Sequence, residues 1–489
     1  MCTSVNKRGR AAALVLACAL AGGCAVGPDF HRPAPPKTDR YGAEAAPTRL
    51  TADDATQTIA LGQPTDPAWW RLFGSPALDA LVAEGLKASP TLAAARAALT
   101  QSQDQARAGA GVFFPQLNGS FDAVREHTTP ALQGERGAGS TFSLFTLTGA
   151  VSYPLDLFGG ERRSVEALNA QAEGQRQAVG AAWLLLTGNI VDAAIARAGY
   201  ADEVAALDDI VRLDADQRDI LTHQFQAGYG AWSAVLTAQQ QLASDRESLA
   251  GARQRLAAAT TLLATLAGRE PAEAAPTPPA LGELAVPADA PVSLPAQLVR
   301  QRPDILQAEA NLHQASANVG VATAALFPSI SITGDYGAAS SALARLSGPA
   351  GRFWSLGPSV DVPIFHGGAL WFGRRAAQAA YLKAQADYRQ TVLAALEQVA
   401  DQIKALDADA EAADASRSAF DAASLNHALG DDNRQAGVIA DYDAMTLEIQ
   451  ADRARLGLIA AKSQRLQDVV GLYVACGGGW TGHLAGALK

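Results

Sequence analysis

Two long stretches of this chain, 155–270 and 364–489, contain none of its 24 prolines. Proline ends or kinks a helix at a cost of about 3 kcal/mol, so uninterrupted helix is the default for both. Ala, Leu, Gln, Arg, Glu and Asp dominate them. The stretches also align with each other at one offset. Pro154 and Pro363 precede them, 209 positions apart, and Ala227-Gly228 answers Ala436-Gly437 at the same spacing. Leu263 and Gly268 match Leu472 and Gly477 likewise. A constant offset over so many residues signals a duplicated architecture.

Each copy has the same further parts. An Ala-rich helical run, 92–111 or 305–325, ends at an aromatic-proline step, Phe114-Pro115 or Phe327-Pro328. Strand-like alternation follows. Leu117, Gly119, Phe121 and Ala123 share one face in the first copy, as do Ile330, Ile332 and Gly334 in the second. A polar, Gly-rich loop leads to another strand-like run, and the pairs Gly159-Gly160 and Gly367-Gly368 open the long helices as strand-to-helix hinges.

The rods 161–226 and 369–435 hold 66 and 67 residues, on the order of 100 Å each at the usual helical rise. Such rods need neighbours along their length. The turns at Gly228 and Gly437 provide returning helices from 232 and 442, since glycine is the usual residue just past a helix end. Two coiled-coil hairpins without a pore would leave the four strands unexplained. Four strands are too few to close a barrel, and open edges need covering. Three copies would supply twelve strands. The expected fold class is therefore an α+β membrane channel with two internal structural repeats, a long α-helical barrel and a trimer-shared, 12-stranded transmembrane β-barrel.

The first residues address location. Lys7, Arg8 and Arg10 precede an apolar run of 11 residues at 11–21, followed by Leu20-Ala21-Gly22-Gly23-Cys24. This is similar to a bacterial lipoprotein signal in which Cys24 becomes the acylated first residue. No segment of 18 or more apolar residues is present, so no helix is expected to span a bilayer. Loss of the leader takes the net charge from −10 to −13, which argues against nucleic acid as a partner. Cys24 and Cys476 alone remain, too few for an internal disulfide framework. The expected segments are a signal peptide at 1–23, an extended tether at 24–76, repeat 1 at 77–270, a Pro-rich linker at 271–303, repeat 2 at 304–480 and a tail at 481–489.

Five short motifs in order then carry a family resemblance over nearly all of the mature chain. They are Cys24-Ala25-Val26-Gly27-Pro28, Trp69-Trp70-Arg71-Leu72-Phe73, Arg300-Gln301-Arg302-Pro303-Asp304, Asn318-Val319-Gly320-Val321-Ala322 and Gly477-Gly478-Gly479-Trp480. The chain resembles the TolC-type outer-membrane factors, in the OprM/NodT-like efflux lipoprotein branch. The resemblance implies a homotrimeric, passive duct through the outer membrane and periplasm, lipid-anchored in a Gram-negative bacterium. Its partners would be a periplasmic adaptor, an inner-membrane pump of RND type and outer-membrane lipid. Type I secretion is the competing channel role, and a periplasmic adaptor with coiled-coil hairpins is the competing class.

The resemblance also places the periplasmic gate at the second hairpin tip, where Asp441, Tyr442 and Asp443 follow Gly437. Three copies would gather six carboxylates near one axis, raising their pKa values and attracting cations. First-turn acids equally suit a helix N-terminus, and the two roles can coexist. Arg434 stands before the turn as a substitute for the arginine that relatives carry after it. The first tip lacks the acids; there Tyr229 and Trp232 are the candidate adaptor contacts, with packing inside the tip as the alternative. Trp69-Trp70 fits either a lipid-interface anchor or packing against the helices. Seven scattered histidines form no HExxH, and no CxxC occurs, so no metal site or cofactor is expected. Nothing suggests an enzyme.

Overall fold

The computed structural model describes residues 25–42, 47–52, 55–129, 134, 138–273 and 278–480. Cys24, the leader 1–23 and the tail 481–489 lie outside the described residues. In chain order the elements are β1 (Arg49–Ala52), β2 (Ala55–Leu61), α1 (Pro76–Ala88), α2 (Pro90–Gly109), β3 (Gln116–Thr128), β4 (Ser140–Leu155), α3 (Gly160–Gln226), α4 (Trp232–Leu266), β5 (Asp289–Val292), α5 (Pro303–Ala324), β6 (Ser329–Ser340), β7 (Arg352–Asp361), α6 (Ala369–Gln435) and α7 (Asp441–Ala475). A single α-helical turn at Pro295–Leu298 and short turns of tighter helix join some of them.

Local chemistry fixes these boundaries. Pro76, Pro90 and Pro303 open their helices, where the missing N–H is one that has no helical partner anyway. Ser75 and Ser89 cap α1 and α2 by accepting from the backbone N–H of Leu78 and Leu92, both at 3.3 Å. The long helices α3 and α6 have 67 residues each, and the returning helices α4 and α7 have 35 each. All four boundaries keep the 209-residue offset. Both tips close alike. Gly228 and Gly437 take φ of 83° and 72°. The N–H groups of Tyr229 and Val438 reach back to the carbonyls of Gln224 and Asn433. This is the Schellman arrangement, and it requires a left-handed residue.

The chain divides into two compact units. The first takes in 25–32, 99–175 and 308–388, including a four-stranded antiparallel sheet in the order β3-β4-β6-β7. In this unit the N-terminal strap is tied down. Phe30 stacks on His313 with ring centres 4.3 Å apart. The buried Arg163 joins Asp29 of the strap to Glu166 of α3.

The second unit takes in 33–98, 176–307 and 389–480. Leu207, Ile210 and Leu213 of α3 pack with Leu249 and Ala252 of α4 and Ile449 of α7 into one apolar core. A separate aromatic hub joins two of the sequence motifs. Trp69 is 0% exposed and stacks on Tyr473 at 5.2 Å, while Trp183 meets both Trp70 and Trp480 at 6.0 Å. The lipid-anchor alternative for Trp69-Trp70 is thereby corrected: both rings are buried in protein. Gly180 is required beside the hub, because a Cβ there would fall 2.2 Å from the Trp480 indole.

Two expectations need amendment. The tether and linker segments contain β1, β2 and β5, which form a three-stranded sheet with β2 antiparallel to β1 and parallel to β5. Pro291 sits in the edge strand β5, where a missing N–H is tolerated. In α3, one 18-residue stretch is apolar enough by composition to cross a membrane, although polar residues interrupt it. It is 67% buried inside the protein, as befits a core helix. Replacing Trp69 with Ala should remove about 3–5 kcal/mol of stability, read as a lower urea midpoint of far-UV circular dichroism.

Candidate functional site

The sheet of the first unit separates its chemistry by face. Successive strand residues point to opposite sides, and the register extends each side across all four strands. Leu117, Val151, Gly334 and Leu356 are cross-strand neighbours, as are Gly119, Gly149, Tyr336 and Trp354. Leu155, Ile330 and Val360 form another row, and Phe121, Leu147 and Ala338 a fourth that ends on Arg352 of β7. Leu117, Phe121, Leu147, Tyr336, Trp354, Leu356 and Val360 are all exposed. The opposite side carries Gln116, Asn118, Ser120 and Asp122 of β3, with Thr146, Thr148 and Ser152 of β4 beside them. Ser331, Thr333, Asp335, Ser355, Ser359 and Asp361 continue it. Its large apolar exceptions are Val124, Phe142, Leu144 and Phe353.

An exposed apolar sheet backed by a polar one has a physical meaning. A contiguous apolar face of this extent seeks lipid or another protein, and alternation of apolar-out with polar-in marks strands of a membrane barrel. The alternation read from the sequence grouped Leu117, Gly119, Phe121 and Ala123 in one copy and Ile330, Ile332 and Gly334 in the other. The register puts all seven on the same side of the sheet.

The second unit holds the residues singled out at the hairpin tips. Asp441 and Asp443 lie in the first turn of α7, whose cap residue Ala440 supplies no side-chain bond. Their carboxylates complement the helix dipole but cap no N–H. Arg434 Nη1 reaches Asp441 Oδ1 at 3.6 Å across the turn and also pairs with Asp431 at 3.0 Å. Arg434 therefore ties α6 to α7 within one chain. Its guanidinium pKa is raised, chiefly through the Asp431 hydrogen bond, with Asp441 adding to it. At the other tip Trp232 packs on Phe225 at 5.1 Å. Tyr229 is 76% exposed.

Three linking groups were not legible in the sequence. Gln217 of α3 donates through Nε2 to Tyr442 O at 3.1 Å and to Thr446 Oγ1 at 2.8 Å. It pins the first turn of α7 to the other hairpin. Further along, Asp245 of α4 accepts from Arg453 Nη2 of α7 at 3.1 Å and from Gln241 Nε2 at 2.8 Å. Asp214 of α3, 4% exposed, interacts with Asp245. Burial first, then the hydrogen bond and charge of Asp245, push Asp214 up to about 7, against the pull of Arg453. Burial opposes ionisation of Asp245 too, yet the donors Asp214, Gln241 and Arg453 hold it below the usual carboxylate range. Asp409 of α6 is likewise pushed up to about 7 by burial and by Asp468, against Arg465.

Long helical hairpins with an antiparallel sheet whose apolar side is exposed fit the class of proteins that meet lipid through strands. The sequence matches the model of the outer membrane efflux protein family over residues 81–269 and 294–478, and the chain belongs to that family. Among curated relatives, the pyoverdine export outer membrane protein OpmQ of Pseudomonas aeruginosa is 29% identical over 503 residues, covering 97% of this chain and 98% of the relative. The probable efflux pump outer membrane protein TtgC of Pseudomonas putida is 26% identical over 469 residues, covering 94% and 93%. The solved structure of the outer-membrane channel OprN superposes with a TM-score of 0.80 at 27% identity, covering 94% of this chain and 100% of that one. The protein is accordingly an outer-membrane efflux protein.

The raised carboxyls make a prediction about pH. Asp214 and Asp409 bind protons more tightly folded than unfolded, so stability falls as pH rises from about 4, the unfolded carboxylate range, toward 7, and levels off above it. Asp214→Asn should weaken this slope, and Asp214→Asn with Asp409→Asn should weaken it further, in melting temperatures measured across the range; Asp192 and Asp452, also raised through desolvation, keep a remainder.

Proposed function

We propose that three copies of this chain close into a twelve-stranded β-barrel in the outer membrane, with their helical hairpins lining a passive export duct through the periplasm. The observation that carries this reading is the two-faced sheet. Its edge strands β3 and β7 have no strand partner outside the sheet among the described residues, and in lipid every backbone N–H and C=O needs one. A second copy would bring the count to eight strands, whose interior side chains fill. A third leaves room for a lumen, lined by the serines, threonines and acids of the polar face.

In this reading the second hairpin tip is the periplasmic gate. Arg434 neutralises Asp441 of its own chain, and Gln217 holds Tyr442 to the neighbouring hairpin. Asp441 and Asp443 from three copies converge, so their mutual repulsion favours splaying when those ties release. The exposed Tyr229, with Trp232 beside it, is the contact offered to a periplasmic adaptor. An inner-membrane pump of RND type would supply the energy for export through this passive duct. Export of small molecules is supported by the names of the relatives, which speak of efflux and of pyoverdine export. Acylated Cys24 would anchor the mature chain to the membrane.

Purified protein in planar bilayers should give small single-channel steps. Removing Arg434 and Gln217 together as alanines should raise the conductance several-fold by freeing the second tip. Failure of both proteins to insert any conducting species would defeat the duct.

A further inference from the structure

The strand-to-helix junction of the first unit contains a cavity of about 520 Å³ that the proposed duct leaves unused. Its apolar wall comes from the β4–α3 connection at Leu157 and Phe158, from Val321 of α5 with Phe327 and Ile330 beyond it, and from Leu370 of α6. The rings of Phe158 and Phe327 stack at 4.8 Å and stiffen one side. The charged lining consists of Asp156, Glu161 and Asp361, with His366 and no Lys or Arg. An anionic lipid headgroup or free phosphate would meet repulsion there. A neutral hydrocarbon chain would not, and it gains by leaving water.

The described chain begins beside this cavity. The N–H of Val26 donates to Phe158 O at 3.0 Å. Ala25 presses on Gly159, whose φ is +78° and where an added Cβ would fall 2.5 Å from the Ala25 Cβ. The strap is then held by Asp29 on Arg163, by Phe30 on His313 and by Arg32 on Glu309 at 2.6 Å. Cys24 is one peptide unit from Ala25, about 3.8 Å between Cα atoms. Any chain attached to its sulfur starts within reach of the apolar wall.

We propose that one acyl chain carried by Cys24 lies in this cavity, packed between the strand and helix roots of its own protomer. This rests on the reading of Cys24 as the lipidated residue. The lipid then serves as a filler of the junction as well as an anchor, and the strap residues fix its point of entry.

Thiol accessibility tests this. Ala325, an exposed residue of the cavity lining, is replaced by Cys in the lipidated protein and in a Cys24→Ser chain secreted behind a cleavable leader. The native Cys476 is buried and stays silent. Intact mass first establishes the acyl chains. Maleimide should label Ala325→Cys several-fold more slowly in the acylated protein than in the Cys24→Ser protein. In a second arm, a diazirine-bearing fatty acid incorporated during growth should crosslink to Leu157, Phe327 or Leu370. Equal fast labelling leaves the cavity to water, and equal slow labelling gives it to a neighbouring copy; either result overturns the proposal while lipidation stands. A mass showing an unmodified Cys24 overturns both readings together.

Discussion

A helix of 67 residues has more lateral surface than its own side chains can shelter. Every other feature of the second unit answers that demand. The glycine turns send α4 and α7 back along their partners, and Leu207, Ile210 and Leu213 find apolar neighbours on both returning helices. Because α3 borrows Ile449 from the other hairpin, neither hairpin buries its apolar stripe alone. Polar ties then set how the hairpins meet. Gln217 donates to the Tyr442 carbonyl, and Arg453 to an Asp245 carboxylate that Asp214 adjoins. Removing one member of such a buried set costs more than its net contribution, because the remaining polar groups lose their partners.

The sheet of the first unit faces a different constraint. Its polar row and its apolar row are both complete within one chain, while its edges are not. Side chains can be sorted by one sequence; in the proposed barrel, backbone pairing at β3 and β7 comes from another copy. This division of labour explains why the chain looks unfinished on its own, and why its apolar face stays exposed across all four strands.

Much of this was legible in the sequence because the signals were local or repeated. Missing prolines marked the long helices, Gly228 and Gly437 marked the turns, and two-residue alternation marked the strands and their faces. What could not be read depended on distant partners. The β1-β2-β5 sheet joins Thr58 to Asp289 through strands as short as four residues, too brief for any periodicity. Gln217 is one glutamine among many on a polar rod. Asp214 and Asp245 come to act on each other's ionisation only once their helices are packed. The Trp69 and Trp480 motifs were visible as motifs, and packing against the helices was among the readings they offered, yet their meeting around Tyr473 and Trp183 was not visible.

The equal lengths of the two hairpins carry an evolutionary consequence. Each residue added to one rod moves its tip by about 1.5 Å and rotates it by roughly 100°. An insertion in α3 before Gln217 would carry that side chain away from Tyr442 and turn it to another side. Changes in reach must therefore occur in both copies together and in whole helical repeats. The duplication is in this sense a ruler, kept true by the bonds between its two halves.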